Sequence, residues 1–242
     1  MTDNINMEVE PAEGTLFIKY QEPTEYIPRG ANYRLRSTQA VIDLINKRGS
    51  VENTQIFYLD TESARVEVIL DDTIMDREKD LATYAFEHSD LFKEWESVLG
   101  GWIDQKEFID FLKRRDSQDE FPDVVSILAS VQQLKMATEI TGDYSYDDRN
   151  NYTFAYKVRD MEGTTRLPNS FIINIPLLNE SDLIVELEME LEVGKPKEPG
   201  VKPGFKITCP KLPRYLKRAI NYEIDDLKTA LPDYNIMAGS IK

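Results

Sequence analysis

The chain of 242 residues is 41% hydrophobic and 30% charged, the composition of a folded globular protein and not of a disordered one. It carries 44 acids against 29 bases, a net charge of −15, and residues 51–150 alone hold 24 of the acids and 10 of the bases. Binding phosphates needs a concentrated positive surface, so this balance argues against direct nucleic-acid reading, and no run reaches the roughly 18 apolar residues that a membrane span requires.

Residues 1–36 read as an acidic, flexible N-terminal extension, with Pro11, Pro23 and Pro28 and only Leu16-Phe17-Ile18 as an apolar anchor. The first residues carry Asp3, Glu8, Glu10 and Glu13 where a secretory signal would place a basic and then an apolar segment. The single cysteine, Cys209, cannot form an internal disulfide, and the expected compartment is the cytoplasm. Residues 37–242 are expected to form one α+β domain, with a sub-boundary near 134–150 where the hydrophobic period changes.

Ser37 or Thr38 is the expected N-cap of a first helix carrying Val41, Ile42, Leu44 and Ile45, with Gly49 at its end. Two alternating runs, Gln55–Asp60 and Ala64–Leu70, flank the turn Asp60-Thr-Glu-Ser and predict a hairpin, and Leu81–Glu87 suggests a third strand. Three helices follow. The first, Asp90–Leu99, groups Leu91, Phe92, Trp95 and Val98. The second, Gln105–Arg115, opens on the capping-box spacing of Asp104 and Glu107. The third opens at Pro122 and carries Val124, Ile127, Leu128 and Val131. Trp95, Trp102, Phe108 and Phe111 are expected in the core.

Beyond Lys135 the period becomes two. Strands are expected at Thr138–Tyr144, Tyr152–Arg159, Ser170–Ile175, Leu183–Val193 and Phe205–Cys209. A last helix starts near Pro213, carries Leu216, Ile220, Ile224 and Leu227, and stops before Pro232. The expected fold is α+β, an antiparallel sheet of mostly C-terminal strands packed with several amphipathic helices.

The stretch Val185-Glu-Leu-Glu-Met-Glu-Leu-Glu-Val193 is the most ordered pattern in the chain. Its odd positions are apolar and cover a core, so Glu186, Glu188, Glu190 and Glu192 face the other way. In a hairpin with the next strand, Lys206 would lie opposite these acids. Metal binding requires oxygens converging on one point, which a flat row about 7 Å apart does not provide. The plain reading of the row is the solvated face of an antiparallel sheet, and read as a site it is the candidate partner-binding face. Two alternatives stand beside it: an acidic DNA mimic or anti-defence factor, and a divalent-metal hydrolase using Asp71, Asp72 and Asp76 with Glu67. The simpler reading of that aspartate cluster is a polar turn.

His88 is the only histidine, so no multi-histidine metal site can form. Its neighbours Ser89 and Asp90 spell a triad, yet adjacent side chains diverge where a triad must converge, and Ser89 reads better as an N-cap. Cys209 alternates with Phe205 and Ile207 and reads as a small core residue. No phosphate-binding glycine loop is present, and no cofactor is expected.

Three stretches carry a family resemblance: Val41-Ile-Asp-Leu-Ile-Asn-Lys-Arg-Gly-Ser-Val-Glu-Asn-Thr-Gln-Ile-Phe57, Gln105-Lys-Glu-Phe-Ile-Asp-Phe-Leu112 and Leu167-Pro-Asn-Ser-Phe-Ile-Ile-Asn-Ile-Pro176. With the order of elements from Leu183 to Leu231, they resemble the YfdQ-like family of uncharacterised phage and prophage proteins. The resemblance spans most of residues 37–240 and departs most at Asp71–Asp80. It implies a phage or prophage accessory protein in the bacterial cytoplasm and brings no catalytic residues with it. The expectation is a non-enzymatic protein that binds a host or phage protein, one that is basic or itself binds DNA.

Overall fold

The computed structural model describes residues 7–12, 15–20, 30–61, 63–74, 79–115, 120–136, 139–146, 151–158, 161–194 and 204–241. The fold is α+β, as the pattern predicts, and it is built around two hydrophobic cores.

A hairpin of β1 (Met7–Ala12) and β2 (Thr15–Tyr20) comes first, then β3 (Asn32–Leu35) and α1 (Thr38–Arg48). Ser37 caps α1 by accepting the Ala40 N–H at 3.1 Å, and Gly49 ends it by donating to the Ile45 carbonyl. A side chain at residue 49 would stand 2.6 Å from that carbonyl oxygen, so the close approach requires glycine. The meander β4 (Gln55–Leu59), β5 (Arg65–Ile69) and β6 (Leu81–Ala85) pairs antiparallel. β3 adds to β6 in parallel, and near the C-terminus β14 (Ile236–Ala238) adds to β4 in parallel. Ordered pairing thus begins before Ser37, inside the expected extension. Val41, Ile42 and Ile45 of α1 bury against Ile56, Val66, Val68, Ala82 and Tyr84.

The second body starts at α2 (Asp90–Glu96), followed by β7 (Trp102–Ile103), α3 (Gln105–Lys113) and α4 (Val124–Met136). The capping box of Asp104 and Glu107 forms as its spacing predicts. β8 (Glu139–Tyr146), β9 (Asn151–Val158) and β10 (Met161–Pro168) make a three-stranded antiparallel sheet. β10 continues almost directly into β11 (Ser170–Pro176), which pairs in the order β11-β12-β13-β7 with β12 (Ile184–Gly194) and β13 (Gly204–Thr208). The helices α2 and α3 and the last helix, Leu212–Ala230, lie against strands of that sheet, and α4 packs on α3 and β10 within the same core. Trp95, Phe108, Phe121 and Ile127 there meet Phe171, Leu187, Met189 and Phe205 in one core, with Trp95 edge-on to Phe111 and Phe121. A division at 134–150 would therefore separate Val131 and Leu134 from strands that share their core.

α5 (Leu212–Ala230) joins the two bodies. Proline occupies its first turn, where the missing N–H is harmless. Ala219 near its middle enters the core of the four-stranded sheet, whereas Leu227 and the following Leu231 enter the core of the five-stranded sheet. Among the described residues no helix is long and apolar enough to cross a membrane.

Candidate functional site

The strict alternation of β12 survives in three dimensions. Val185, Leu187, Met189, Leu191 and Val193 are buried, and Glu186, Glu188, Glu190 and Glu192 are exposed on the opposite face. Because β12 lies between two strands, each acid has defined neighbours. In β11, Asn174 stands opposite Glu186 and Ile172 opposite Glu188; in β13, Thr208 stands opposite Glu190 and Lys206 opposite Glu192. The expected Lys206 pairing forms, with Nζ 3.6 Å from Glu192 Oε2. Lys211, just past β13, donates to Glu188 Oε2 at 2.5 Å, and that bond raises the lysine's pKa. Glu186 and Glu190 have no ion pair among the described residues.

Three large apolar side chains share this face: Ile172 at 38% exposure, Ile184 at 57% and Trp102 at 53%. Trp102 is a correction to the expected core set. It belongs to the two-residue edge strand β7 opposite Lys206, and its indole lies across Gly194 and Gly204 on the outside of the sheet. A Cβ at residue 194 would come within 2.9 Å of the ring, so glycine there makes the seat. Lys206 Nζ is 5.8 Å from the ring centroid, within cation–π range. Trp95, Phe108 and Phe111 are in the core as expected.

The aspartate cluster is laid out as a turn. Asp71 Oδ1 accepts from the Thr73 N–H at 2.9 Å and from Thr73 Oγ1 at 2.6 Å, bonds that hold its carboxyl below the ordinary value. Asp72 pairs with Lys79 at 2.7 Å. Glu67 accepts from Arg65 Nε and from the Ile241 N–H, each at 2.7 Å. Asp76 lies outside the described residues. Among the described residues no group of three or more His, Cys, Asp or Glu is placed to hold a metal ion.

His88, Ser89 and Asp90 point to separate partners. His88 Nδ1 is 3.3 Å from Glu96, Asp90 pairs with Lys93, and Ser89 Oγ caps α2 through the Phe92 N–H while donating to the Pro176 carbonyl. Cys209 sits half-buried at the rim of the core, its thiol against the Glu188 carbonyl. Burial raises its pKa first, and the charges of Glu190 and Glu188 add to that.

One buried polar cluster was not foreseen. Glu223 of α5 lies in the joint between the cores, where Oε2 accepts from Thr38 Oγ1 at 2.5 Å and Oε1 from Ser181 Oγ at 2.6 Å. Thr38 is the first residue of α1, which has no acid of its own in its first turn, so Glu223 brings negative charge to that positive helix end. Tyr84 of β6 is buried beside the same cluster, and burial, then the Glu223 charge, pushes its phenol up to about 12.

Fold and site together define an α+β protein with two cores and one open, acidic sheet face that carries exposed apolar anchors. The chain matches no protein-family model, no curated protein and no solved structure.

Proposed function

We propose that this chain is a non-enzymatic accessory protein of a bacteriophage or prophage, acting in the host cytoplasm by binding a protein that presents both basic and apolar side chains. The observation that carries this reading is the outer face of the four-stranded sheet. Its inner face is buried under helices, while its outer face leaves Trp102, Ile172 and Ile184 in solvent on the same side as the four glutamates. An exposed tryptophan flanked by ionised groups has the composition of an interface anchor and rim. The phage context rests on the resemblance to the YfdQ-like family.

The test uses the whole chain as bait in lysate from phage-infected cells, beside a Glu186→Lys/Glu190→Lys variant and a Trp102→Ala variant. All three substitutions are at exposed positions, and circular dichroism checks that the fold is kept. The partner captured by the wild-type chain is expected to be lost from the charge-reversed bait. It should bind the Trp102 variant at least about 30-fold more weakly, the low end for a hot-spot residue. Capture of the same proteins at the same level by all three baits would rule out this face.

A further inference from the structure

A cleft of about 580 Å³ opens between the two bodies of the molecule, within the roughly 300–1,000 Å³ of small-molecule sites. Its floor is apolar: Ala64, Ala85, Phe86, Leu178, Leu216 and Ile220. Phe86 packs against both cores, so the floor is continuous from one to the other. The rim is polar and differs from the rest of the chain. Arg65, Lys217 and His88 stand around the cleft with Asp60, Thr61 and Ser63, although the whole chain carries −15.

The donors on this rim have capacity left. Lys217 Nζ is 3.7 Å from Asp60 Oδ2 and both side chains are well exposed, a loose contact that a better-placed anion displaces readily. Arg65 holds Glu67 through Nε and Ser63 through Nη1, which leaves Nη2 without a bond among the described residues. His88 uses Nδ1 toward Glu96, and Nε2 has no partner among the described residues. Apolar side chains make up most of the lining and the cations stand beside them, so a hydrocarbon body with a single anionic head meets both parts of the site.

We propose that this cleft binds a small amphipathic monocarboxylate, with its apolar body on Phe86, Leu216 and Ile220 and its carboxylate taking Lys217 from Asp60. Because the ligand touches both cores, it stabilises their joint. This site is separate from the sheet face and does not depend on it.

The experiment titrates the full-length protein with decanoate and with 1-decanol, each below its aggregation limit, and follows displacement of 1-anilinonaphthalene-8-sulfonate fluorescence and thermal unfolding. One saturable site is expected, with decanoate at least about 10-fold tighter than decanol. At a hundredfold excess over Kd the melting temperature should rise about 5–10 °C. Lys217→Glu, at an exposed position, should abolish the preference for decanoate and leave decanol binding unchanged. Ile220→Trp, which fills the cleft, should abolish binding of both. Absence of saturable binding would overturn the proposal, and so would a Lys217→Glu variant that keeps its preference for decanoate.

Discussion

Removing the Glu223 carboxylate tests whether the two cores are tied together through one side chain. Thr38 is buried at 6% exposure, so in Glu223→Ala its hydroxyl loses a charged acceptor with no water to replace it, at about 1–3 kcal/mol. Ser181 is half-buried and regains water, so its loss is about 1 kcal/mol or less. The deleted γ-methylene adds about 0.8 kcal/mol. The total is about 2–5 kcal/mol, or a fall in Tm of about 4–20 °C for a chain of this size. Glu223→Leu keeps the volume and loses only the acceptor, so it should cost about 2–4 kcal/mol. In Thr38→Val/Glu223→Leu both partners become apolar, and the pair should cost at least about 1 kcal/mol less than the sum of the single changes. Urea unfolding provides the measurement. Both tryptophans lie in the body built on the four-stranded sheet, so their fluorescence follows that body while far-ultraviolet circular dichroism follows the whole chain. The two curves should separate in Glu223→Ala. If Glu223→Leu is as stable as the wild-type chain, or if the double variant is simply additive, the cluster does not hold the joint.

Tyr84 extends the same cluster to alkaline pH. Its raised folded-state pKa means that the unfolded chain loses the proton first, so its contribution is intact below about pH 10 and is lost as pH rises toward about 12. Two units correspond to about 3 kcal/mol, and Tyr84→Phe should remove that part of the pH dependence in unfolding titrations between pH 9 and 12. Cys209, with its thiol pushed up by burial and by the nearby glutamates, should react with Ellman's reagent at pH 7.5 more slowly than free cysteine. A rate equal to or above that of the free thiol would contradict its placement at the core rim.

Legibility in the sequence tracked the length and regularity of each element. The period-two run of β12 is long enough to fix both its faces, and Lys206 falls opposite Glu192 because a hairpin leaves few registers for two amphipathic strands. Caps at Ser37, Ser89 and Asp104 are local chemistry and read directly. β3, β7 and β14 have four, two and three residues, too few to show a period, and sheets beyond them decide that they pair at all. Trp102 was misplaced for that reason, since its exposure follows from a two-residue edge strand and a glycine ninety residues downstream. Glu223 did leave a trace: it interrupts the apolar stripe of α5 between Ala219 and Leu227. Its partners Thr38 and Ser181 left none, because only the folded chain brings them together.

The charge arrangement on β12 limits what its face can bind. Neighbouring glutamates on one side of a strand are about 7 Å apart, where two unit charges repel by about 0.6 kcal/mol in water. An uninterrupted row of four would be a standing repulsion that any polycation could relieve, and that is the condition for imitating a nucleic-acid backbone. Lysines, however, sit on alternate acids, Lys211 on Glu188 and Lys206 on Glu192. The two without a cation among the described residues, Glu186 and Glu190, are four residues and so about 13–14 Å apart, beyond the Debye length of about 8 Å at physiological salt. Among the described residues the row thus offers two isolated charges, and each is worth at most about 1 kcal/mol to an incoming lysine or arginine. For the partner proposed above, affinity on this face has to come from burying Trp102, Ile172 and Ile184, with Glu186 and Glu190 setting the register.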